Sequence, residues 1–414
     1  MTNTGTRFEQ MRQQVLAANI DGWLLYDFRG GNPLAASLLG LPTDAHLTRR
    51  YFFWVPREGA PVLLVNGIEA GNWRTYLSAM DGGETVEMRP YSGHETLKAA
   101  LGAILKPGQR IAMEYSPNAS VPFVSRVDAG TLEQVRSFGV EVVTSGDLLQ
   151  RFLVLSDAEL AAHKTASACL MAAKDAGFKL VHERLQKGEP IDELSVQAAV
   201  QAVIDDWGLI TDHPAIIGFG AHAADPHYAP NAAENATLQP VQCVLIDVWA
   251  QKPGMPYADI TWMGCAGTPS EELTDIWEAV RDSRDAAVDL IAKEGYPNLQ
   301  GWQADRVARD LLIARGYGDA FIHRLGHNIH VTDHGPGVNL DDFETHDTRQ
   351  LLEGLLCSIE PGVYLPNRGI GVRSEIDIYF APGGNLEVTT TAQRELILLG
   401  DPNTQYADAL AAAL

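Results

Sequence analysis

Four acidic residues in short apolar runs, together with a nearby group of histidines, are the residues in this 414-residue chain best suited to chemistry. A charged side chain in a buried strand is costly unless it is paired or bound to a cation. Carboxylate oxygens and imidazole nitrogens are ligands of divalent cations, so the pattern indicates a metal site. The acids and the histidine segment are Asp247 in VLIDVWA, Asp259 in YADITW, Glu360 in CSIEPGVY, Glu375 in VRSEIDIYF, and HRLGHNIHVTDHG.

The acids come as two pairs, each separated by a turn. Asp247 and Asp259 flank a turn at Pro253-Gly254, and residues equidistant from a hairpin turn face each other across neighbouring strands. Facing carboxylates repel each other unless a cation lies between them. The second pair repeats this arrangement fifteen residues apart. Each pair alone is also consistent with acids on solvated strand faces, and the repetition favours a shared site.

The histidines of interest are His323, His327 and His334, with His227 in an earlier loop segment, ADPHYAPN. His323 and His327 are four residues apart, a spacing that would place them on one face of a helix. Gly326 and the strand-like residues around it favour an extended segment or loop instead. A single histidine is more often structural than catalytic, so the group carries weight only together with the acids.

Composition limits the classes of function. The net charge of −22 argues against nucleic acid or an anionic membrane surface as the main partner. No run of about 18 apolar residues and no secretory signal is apparent in the sequence. The four cysteines are far apart with no CxxC pair, which fits a reduced chain in the cytoplasm.

The order of predicted elements indicates two domains, residues 1–152 and residues 153–414. In the first, strands alternate with helices, which is typical of an α/β domain. Its sequence lacks a phosphate-binding glycine loop and clustered acids, so we expect a structural or oligomerisation role. In the second, Ser156 and Glu159 form a predicted capping box that opens a long helix, and all four acids lie in its strand-rich part.

The ordered segments DVWAQKPGMPYAD, HRLGHNIHVTDH, SIEPGVY and GVRSEID resemble those of the pita-bread dinuclear metallopeptidases, in the branch that contains prolidase, aminopeptidase P and the metal-free creatinase. The resemblance covers about residues 153–400. It implies a creatinase-like α/β N-terminal domain and an α+β pita-bread catalytic domain. It also implies two bound divalent cations, Mn²⁺ first and Co²⁺ or Zn²⁺ as alternatives, with Asp259 and Glu375 bridging them. The implied metal ligands are Asp247, Asp259, His327, Glu360 and Glu375.

The same resemblance implies roles beyond metal binding. Glu360 would carry a proton from water to the leaving nitrogen, and His334 would donate a hydrogen bond to the developing oxyanion. Arg373 would bind a free C-terminal carboxylate. Departures from the family pattern are one extra residue between the two aspartates and Thr261-Trp262-Met263 after the second. The implied catalytic and substrate-binding residues are Glu360, His334, His227, His323, Arg373 and Tyr364.

The function implied first is metal-dependent hydrolysis of Xaa-Pro dipeptides by a cytoplasmic homodimer that contacts small peptides and neither nucleic acid nor membrane. An Xaa-Pro aminopeptidase acting on longer peptides shares every implied catalytic residue and remains open. Two readings of other kinds also remain open: a non-catalytic binding protein and a creatinase-like amidinohydrolase. Both predict that metal is dispensable.

Overall fold

The computed structural model describes residues 5–414, and the chain divides into two compact units, Met1–Phe152 and Leu153–Leu414. All four cysteines are buried free thiols. Within residues 5–414, no helix has both the length and the apolar character needed to cross a membrane.

The first unit is built on a six-stranded mixed sheet in the order β4-β3-β2-β1-β5-β6. The β1–β2 and β2–β3 pairs are antiparallel, and the other three pairs are parallel. The strands are β1 (Gly22–Asp27), β2 (Tyr51–Pro56), β3 (Val62–Asn66), β4 (Glu87–Tyr91), β5 (Arg110–Met113) and β6 (Glu141–Thr144).

Helices cover both faces of this sheet. Alternate residues of β1 enter different cores: Trp23 and Leu25 pack with one set of helices, and Leu24 and Tyr26 with the other. This alternation follows from the two-residue period of a strand, and it confirms the predicted α/β class. The helices are α1 (Arg7–Ala17), α2 (Pro33–Leu39), α3 (Ala70–Ala79), α4 (His94–Ile104), α5 (Ala129–Arg136) and α6 (Gly146–Gln150).

A buried polar cluster surrounds Glu114 at the end of β5. Its carboxyl accepts hydrogen bonds from Trp23 Nε1 at 2.8 Å, Asn32 Nδ2 at 3.0 Å and Ser145 Oγ at 3.2 Å. Glu114 is fully buried, and the loss of hydration raises its pKa to about 7 despite these donors. This acid therefore carries a proton over much of the range below neutral pH.

The second unit contains three small sheets. Their strand orders are β16-β9-β8-β7, β10-β11-β14-β15 and β12-β13, and every pair is antiparallel except β16–β9. The strands are β7 (Ile216–Phe219), β8 (Cys243–Gln251), β9 (Tyr257–Ala266), β10 (Asn328–Ile329), β11 (Leu356–Ile359), β12 (Gly362–Leu365), β13 (Ile370–Arg373), β14 (Ile376–Ala381), β15 (Asn385–Val388) and β16 (Ile397–Leu399).

Five helices pack around these sheets. The capping box predicted at Ser156 and Glu159 is present, with each side chain bonded to the other residue's backbone N–H. The predicted long helix follows it. The helices are α7 (Asp157–Gln186), α8 (Glu193–Asp206), α9 (Glu271–Glu294), α10 (Gly301–Ala314) and α11 (Tyr406–Ala413).

The register of β8 and β9 differs from the expected one. Asp247 lies opposite Thr261, and Asp259 lies opposite Trp249, so the prediction that the two aspartates face each other directly is wrong by two residues. The cause is the five-residue connection between the strands, which moves the centre of the hairpin to Gly254. An offset of two keeps both carboxylates on one face of the sheet.

The two glutamates lie at an interruption between two ladders. The β11–β14 ladder ends with Ile359 opposite Ile376, and the β12–β13 ladder begins with Gly362 opposite Arg373. The two ladders share one register, which places Glu360 opposite Glu375 in the gap, as the hairpin pattern predicts. Their side chains are thus released from regular pairing and turn toward the acids of β8 and β9.

Candidate metal centre and active site

Asp259, His327 and Glu375 form the centre of the site. Each offers a ligand atom within 4.8 Å of the other two, and all three residues are buried. His327 Nε2 lies 4.0 Å from Asp259 Oδ2. His327 precedes the two-residue strand β10, in an extended segment as expected from Gly326. Residues from three separate parts of the sequence therefore meet at one point.

Asp247 and Glu375 are connected through Thr261. The Thr261 hydroxyl lies 3.0 Å from Asp247 Oδ1 and 2.8 Å from Glu375 Oε2. The other Asp247 oxygen accepts a hydrogen bond from Arg373 Nη2. Glu360 completes the set, with its Oε1 3.4 Å from His327 Nε2. The structure thus brings together all five residues that the resemblance implied as metal ligands.

The chemistry of this donor set fits divalent cations. Asp259 Oδ1 and Glu375 Oε1 are buried without a hydrogen-bond partner among the described residues. Burial of such acceptors destabilises the fold unless a cation binds to them. Burial and the nearby His334 lower the pKa of His327 well below its usual value, which keeps the imidazole neutral as metal ligation requires. Four carboxylates and one imidazole suit hard or borderline ions.

Glu360 is less enclosed than the other acids, since its side chain is 15% exposed. Burial raises its pKa to about 7, although the positive charges of Arg373 and Arg324 oppose the shift. A carboxyl with a pKa near the working pH exchanges protons readily. Glu360 is thus placed to act on protons at the edge of the group.

A hydrogen-bonded chain runs from Asp247 away from the acids. Arg373 Nη1 donates to Tyr364 Oη at 3.0 Å, and Tyr364 Oη lies 2.8 Å from His323 Nε2. His323 Nδ1 lies 2.7 Å from the carbonyl oxygen of Arg324. Both ring nitrogens of His323 are therefore engaged, and burial lowers its pKa to about 3. These contacts fix the orientations of Arg373, Tyr364 and His323.

His227 lies on an exposed loop that a single buried acid holds in place. Glu193, fully buried at the start of α8, accepts hydrogen bonds from Tyr228 Oη at 2.7 Å, from Phe219 N at 2.8 Å and from Ala236 N at 2.9 Å. These bonds hold the chain on both sides of His227. His334 is also partly exposed, and its ring centroid lies 4.1 Å from that of His327.

A cavity of about 1080 Å³ opens onto these residues. All five implied metal ligands line it, and so do His227, His323, His334 and Arg373. Of the implied site residues, only Tyr364 is absent from the lining, because it lies behind Arg373 and His323.

Sequence reasoning missed several polar residues of this cavity, and Asp333 and Arg324 are two of them. Asp333 Oδ2 lies 3.6 Å from His334 Nε2, and its Oδ1 is buried without a partner among the described residues. Asp333, His327 and His334 form a second group able to hold a cation. Arg324 also lines the cavity. Both lie inside the histidine segment, where Arg324 directly follows His323 and Asp333 directly precedes His334, and this adjacency was the available signal.

The fold and the site are accompanied by a sequence match to a known family. The model of metallopeptidase family M24 matches residues 161–381, more than half of the chain, and the chain belongs to that family. The predicted pita-bread family is thereby confirmed.

The chain is 32% identical to an Xaa-Pro dipeptidase of Lactobacillus helveticus over 207 residues, which are 49% of this chain and 52% of that protein. The match therefore spans about half of that relative's length. Two solved structures share the fold over both units. They are dipeptidase PepE from Mycobacterium ulcerans (24% identity, 95% of this chain and 97% of that one, TM-score 0.67) and the prolidase from Pyrococcus horikoshii (22%, 94% and 99%, 0.60). The predicted two-domain fold class is confirmed.

Proposed function

We propose that this chain is a metal-dependent Xaa-Pro dipeptidase, which hydrolyses the bond before proline in dipeptides. The observation that carries the proposal is the meeting of Asp259, His327 and Glu375 around unpartnered buried oxygens, with Glu360 3.4 Å from the imidazole. The similarity to a relative described as an Xaa-Pro dipeptidase supports the choice of substrate.

The metal ligands in this proposal are Asp247, Asp259, His327, Glu360 and Glu375. Two divalent cations held there, with Mn²⁺ the first candidate, would polarise the scissile carbonyl and lower the pKa of water. Glu360 Oε1 accepts the proton of the attacking water and returns it to the proline nitrogen as the C–N bond breaks.

The remaining residues position the substrate. His334 donates a hydrogen bond to the carbonyl oxygen as negative charge develops on it. His227 and His323 border the proline ring, and Tyr364 holds His323 through the 2.8 Å hydrogen bond. Because the proline nitrogen has no N–H in the substrate, the site recognises the ring by shape.

We further propose that the Met1–Phe152 unit has a structural role and mediates a homodimer, and that the protein acts in the cytoplasm. The four buried free thiols are in keeping with a reducing compartment. Ile68 is an apolar residue of this unit and is 77% exposed. Light scattering tests the dimer by comparing the mass of the wild-type chain with that of a variant in which a charged residue replaces Ile68.

One observation favours a second candidate, an Xaa-Pro aminopeptidase. The cavity of about 1080 Å³ is at the large end of those that hold drug-sized ligands, so it has room beyond a dipeptide. Hydrolysis of Ala-Pro beside Ala-Pro-Ala by the Mn²⁺-loaded protein separates the two. We expect cleavage of Ala-Pro in preference. Preferred cleavage of the tripeptide would make the chain an aminopeptidase, and activity that survives EDTA would exclude both.

A further inference from the structure

The cavity is strongly acidic. Among the described residues that line it, eight are aspartate or glutamate and two are arginine. A dipeptide brings one ammonium group and one carboxylate into this environment. Several acidic residues can pair with the ammonium group. The carboxylate instead needs a positive charge that no residue of the protein has already neutralised.

The two arginines differ in this respect. Arg373 is 4% exposed and contacts Asp247, Tyr364, Thr261 and the carbonyl oxygen of Pro226. Its positive charge is thus paired with Asp247. The sequence-based assignment of Arg373 as the residue that binds the substrate's C-terminal carboxylate stays a prediction.

Arg324 keeps most of its donors available. Its side chain is 20% exposed, and its Nη1 is 3.9 Å from Glu344 Oε2, beyond hydrogen-bond distance. Among the described residues, its guanidinium donates one hydrogen bond, from Nη2 to His334 Nδ1 at 3.1 Å. A guanidinium has five N–H donors, so this cation can bind a carboxylate without giving up its present contact.

The backbone around Arg324 is held rigidly on both sides. Arg309 Nη2 donates to the carbonyl oxygen of His323 at 2.7 Å, and Asp305 Oδ2 accepts from Leu325 N at 2.9 Å. Arg309 and Asp305 are themselves a buried ion pair on α10, with Nε and Oδ1 2.7 Å apart. A side chain on a fixed backbone loses less conformational freedom when it binds a ligand.

We infer that Arg324 binds the free C-terminal carboxylate of the substrate and so makes the site selective for dipeptides. This rests on the proposed function. Arg324 is hydrogen-bonded to His334, whose ring centroid is 4.1 Å from that of His327, so a single imidazole separates Arg324 from the metal-ligand histidine. In Xaa-Pro the carboxylate carbon is three bonds from the scissile carbonyl carbon, which puts the two carbons roughly 3 Å apart. Arg324 and the five implied metal ligands line one cavity, so a small substrate bound there lies close to both.

The test compares Ala-Pro with Ala-Pro-amide, which has the same scissile bond and no terminal charge. The Mn²⁺-loaded full chain is measured as wild type, Arg324→Gln, Arg324→Lys and, as a matched control outside the cavity, Arg315→Gln. We expect wild type to favour the acid by on the order of 10- to 100-fold in kcat/KM, the range for a hydrogen-bonded ion pair. Arg324→Gln should reduce this ratio to near one, Arg324→Lys should retain part of it, and Arg315→Gln should keep the wild-type ratio.

Use of the ratio cancels any damage to His334, which affects both substrates alike. An unchanged ratio in Arg324→Gln would overturn the inference, and a ratio that instead collapses in Arg373→Lys would assign carboxylate binding to Arg373. If wild type cleaves neither substrate, the proposed function fails on its own. Calorimetric binding of N-acetylproline and N-acetylprolinamide then tests Arg324: a preference for the acid that disappears in Arg324→Gln supports it, and one that persists overturns it.

Discussion

The carboxylate of Asp247 and the guanidinium of Arg373 form an ion pair in which both side chains are at least nine-tenths buried. The pair borders a group of acids that, in metallopeptidase family M24, is expected to hold cations. Arg373 therefore supplies a permanent positive charge next to the acids, whereas metal ions held by the acids could dissociate. This arrangement stabilises the acid group whether or not metal is bound.

Removal of Arg373 should be most damaging in the metal-free protein. Arg373→Ala leaves Asp247 buried and unpaired, which costs about 3–5 kcal/mol. We expect a lower free energy of unfolding in EDTA and a larger gain on addition of Mn²⁺ than in wild type. Urea titrations in both conditions measure this, with Arg315→Gln as control. Equal stability of Arg373→Ala and wild type in EDTA would contradict the role.

The proton-transfer role of Glu360 predicts a loss of rate. Glu360→Gln keeps the size of the side chain and an oxygen that can bind metal, but the amide cannot accept a proton. We expect kcat on Ala-Pro to fall by about a thousandfold or more at saturating Mn²⁺. Metal content measured on the same sample shows whether the site is loaded. Near-normal turnover in a loaded sample would show that another group moves the proton.

Asp333 should contribute to cation binding although it lies outside the implied ligand set. Burial and the charges of Glu360 and Asp247 raise the pKa of Asp333 well above its usual value, and a cation would relieve that repulsion. We expect Asp333→Asn to weaken Mn²⁺ binding by roughly 10- to 100-fold in equilibrium dialysis. Glu278→Gln, which removes an exposed acid that is 47% accessible, is the control. Unchanged binding would leave Asp333 with no part in the centre.

Glu114 predicts a pH dependence in the first unit. Its pKa is raised from the usual 4.5 to about 7, so between these values the folded state binds more protons than the unfolded state, and stability falls as pH rises. The full effect is about 3 kcal/mol. We expect amide hydrogen exchange in β1 and β5, corrected for the intrinsic rate, to accelerate from pH 5 to pH 8, and less so in Glu114→Gln.

The exposed Glu141, 65% accessible, provides the matched control for that experiment. Glu141→Gln removes an acid from the neighbouring strand without touching the buried cluster. It should retain the wild-type pH dependence. The same slope in all three proteins would mean that Glu114 is ionised in the folded state.

The sequence predicted the elements whose cause is local. The capping box at Ser156 and Glu159 and the following helix depend on residues three apart, and both are present. Helix α3 was not predicted, because AGNWRTYLSA contains glycine, asparagine and threonine, which are weak helix formers. Burial of Trp73 and Leu77 against the sheet holds it in place, and that tertiary contact is invisible in the sequence.

The residues of the site could be predicted from the sequence, but their relative positions could be predicted less well. The family pattern identified the five residues that meet, but it did not give the two-residue offset between Asp247 and Asp259, which the hairpin loop determines. Asp333 and Arg324 lie inside the histidine segment, but the family pattern assigned no role to either residue. Their positions depend on the path of the chain after His323, which the contacts of Asp305 and Arg309 fix.

The shared register of the β11–β14 and β12–β13 ladders sets a rule for changes in chain length. Side chains alternate faces, so one residue added between Glu360 and Gly362 would reverse the faces of the β12 side chains relative to the glutamates. A matched residue added to the opposite strand would restore the alternation. Insertions in the turn after Leu365 lie beyond both ladders and leave the gap unchanged. Natural and engineered variants should therefore differ in length at this turn, while the segments that flank the glutamates change only in compensating pairs.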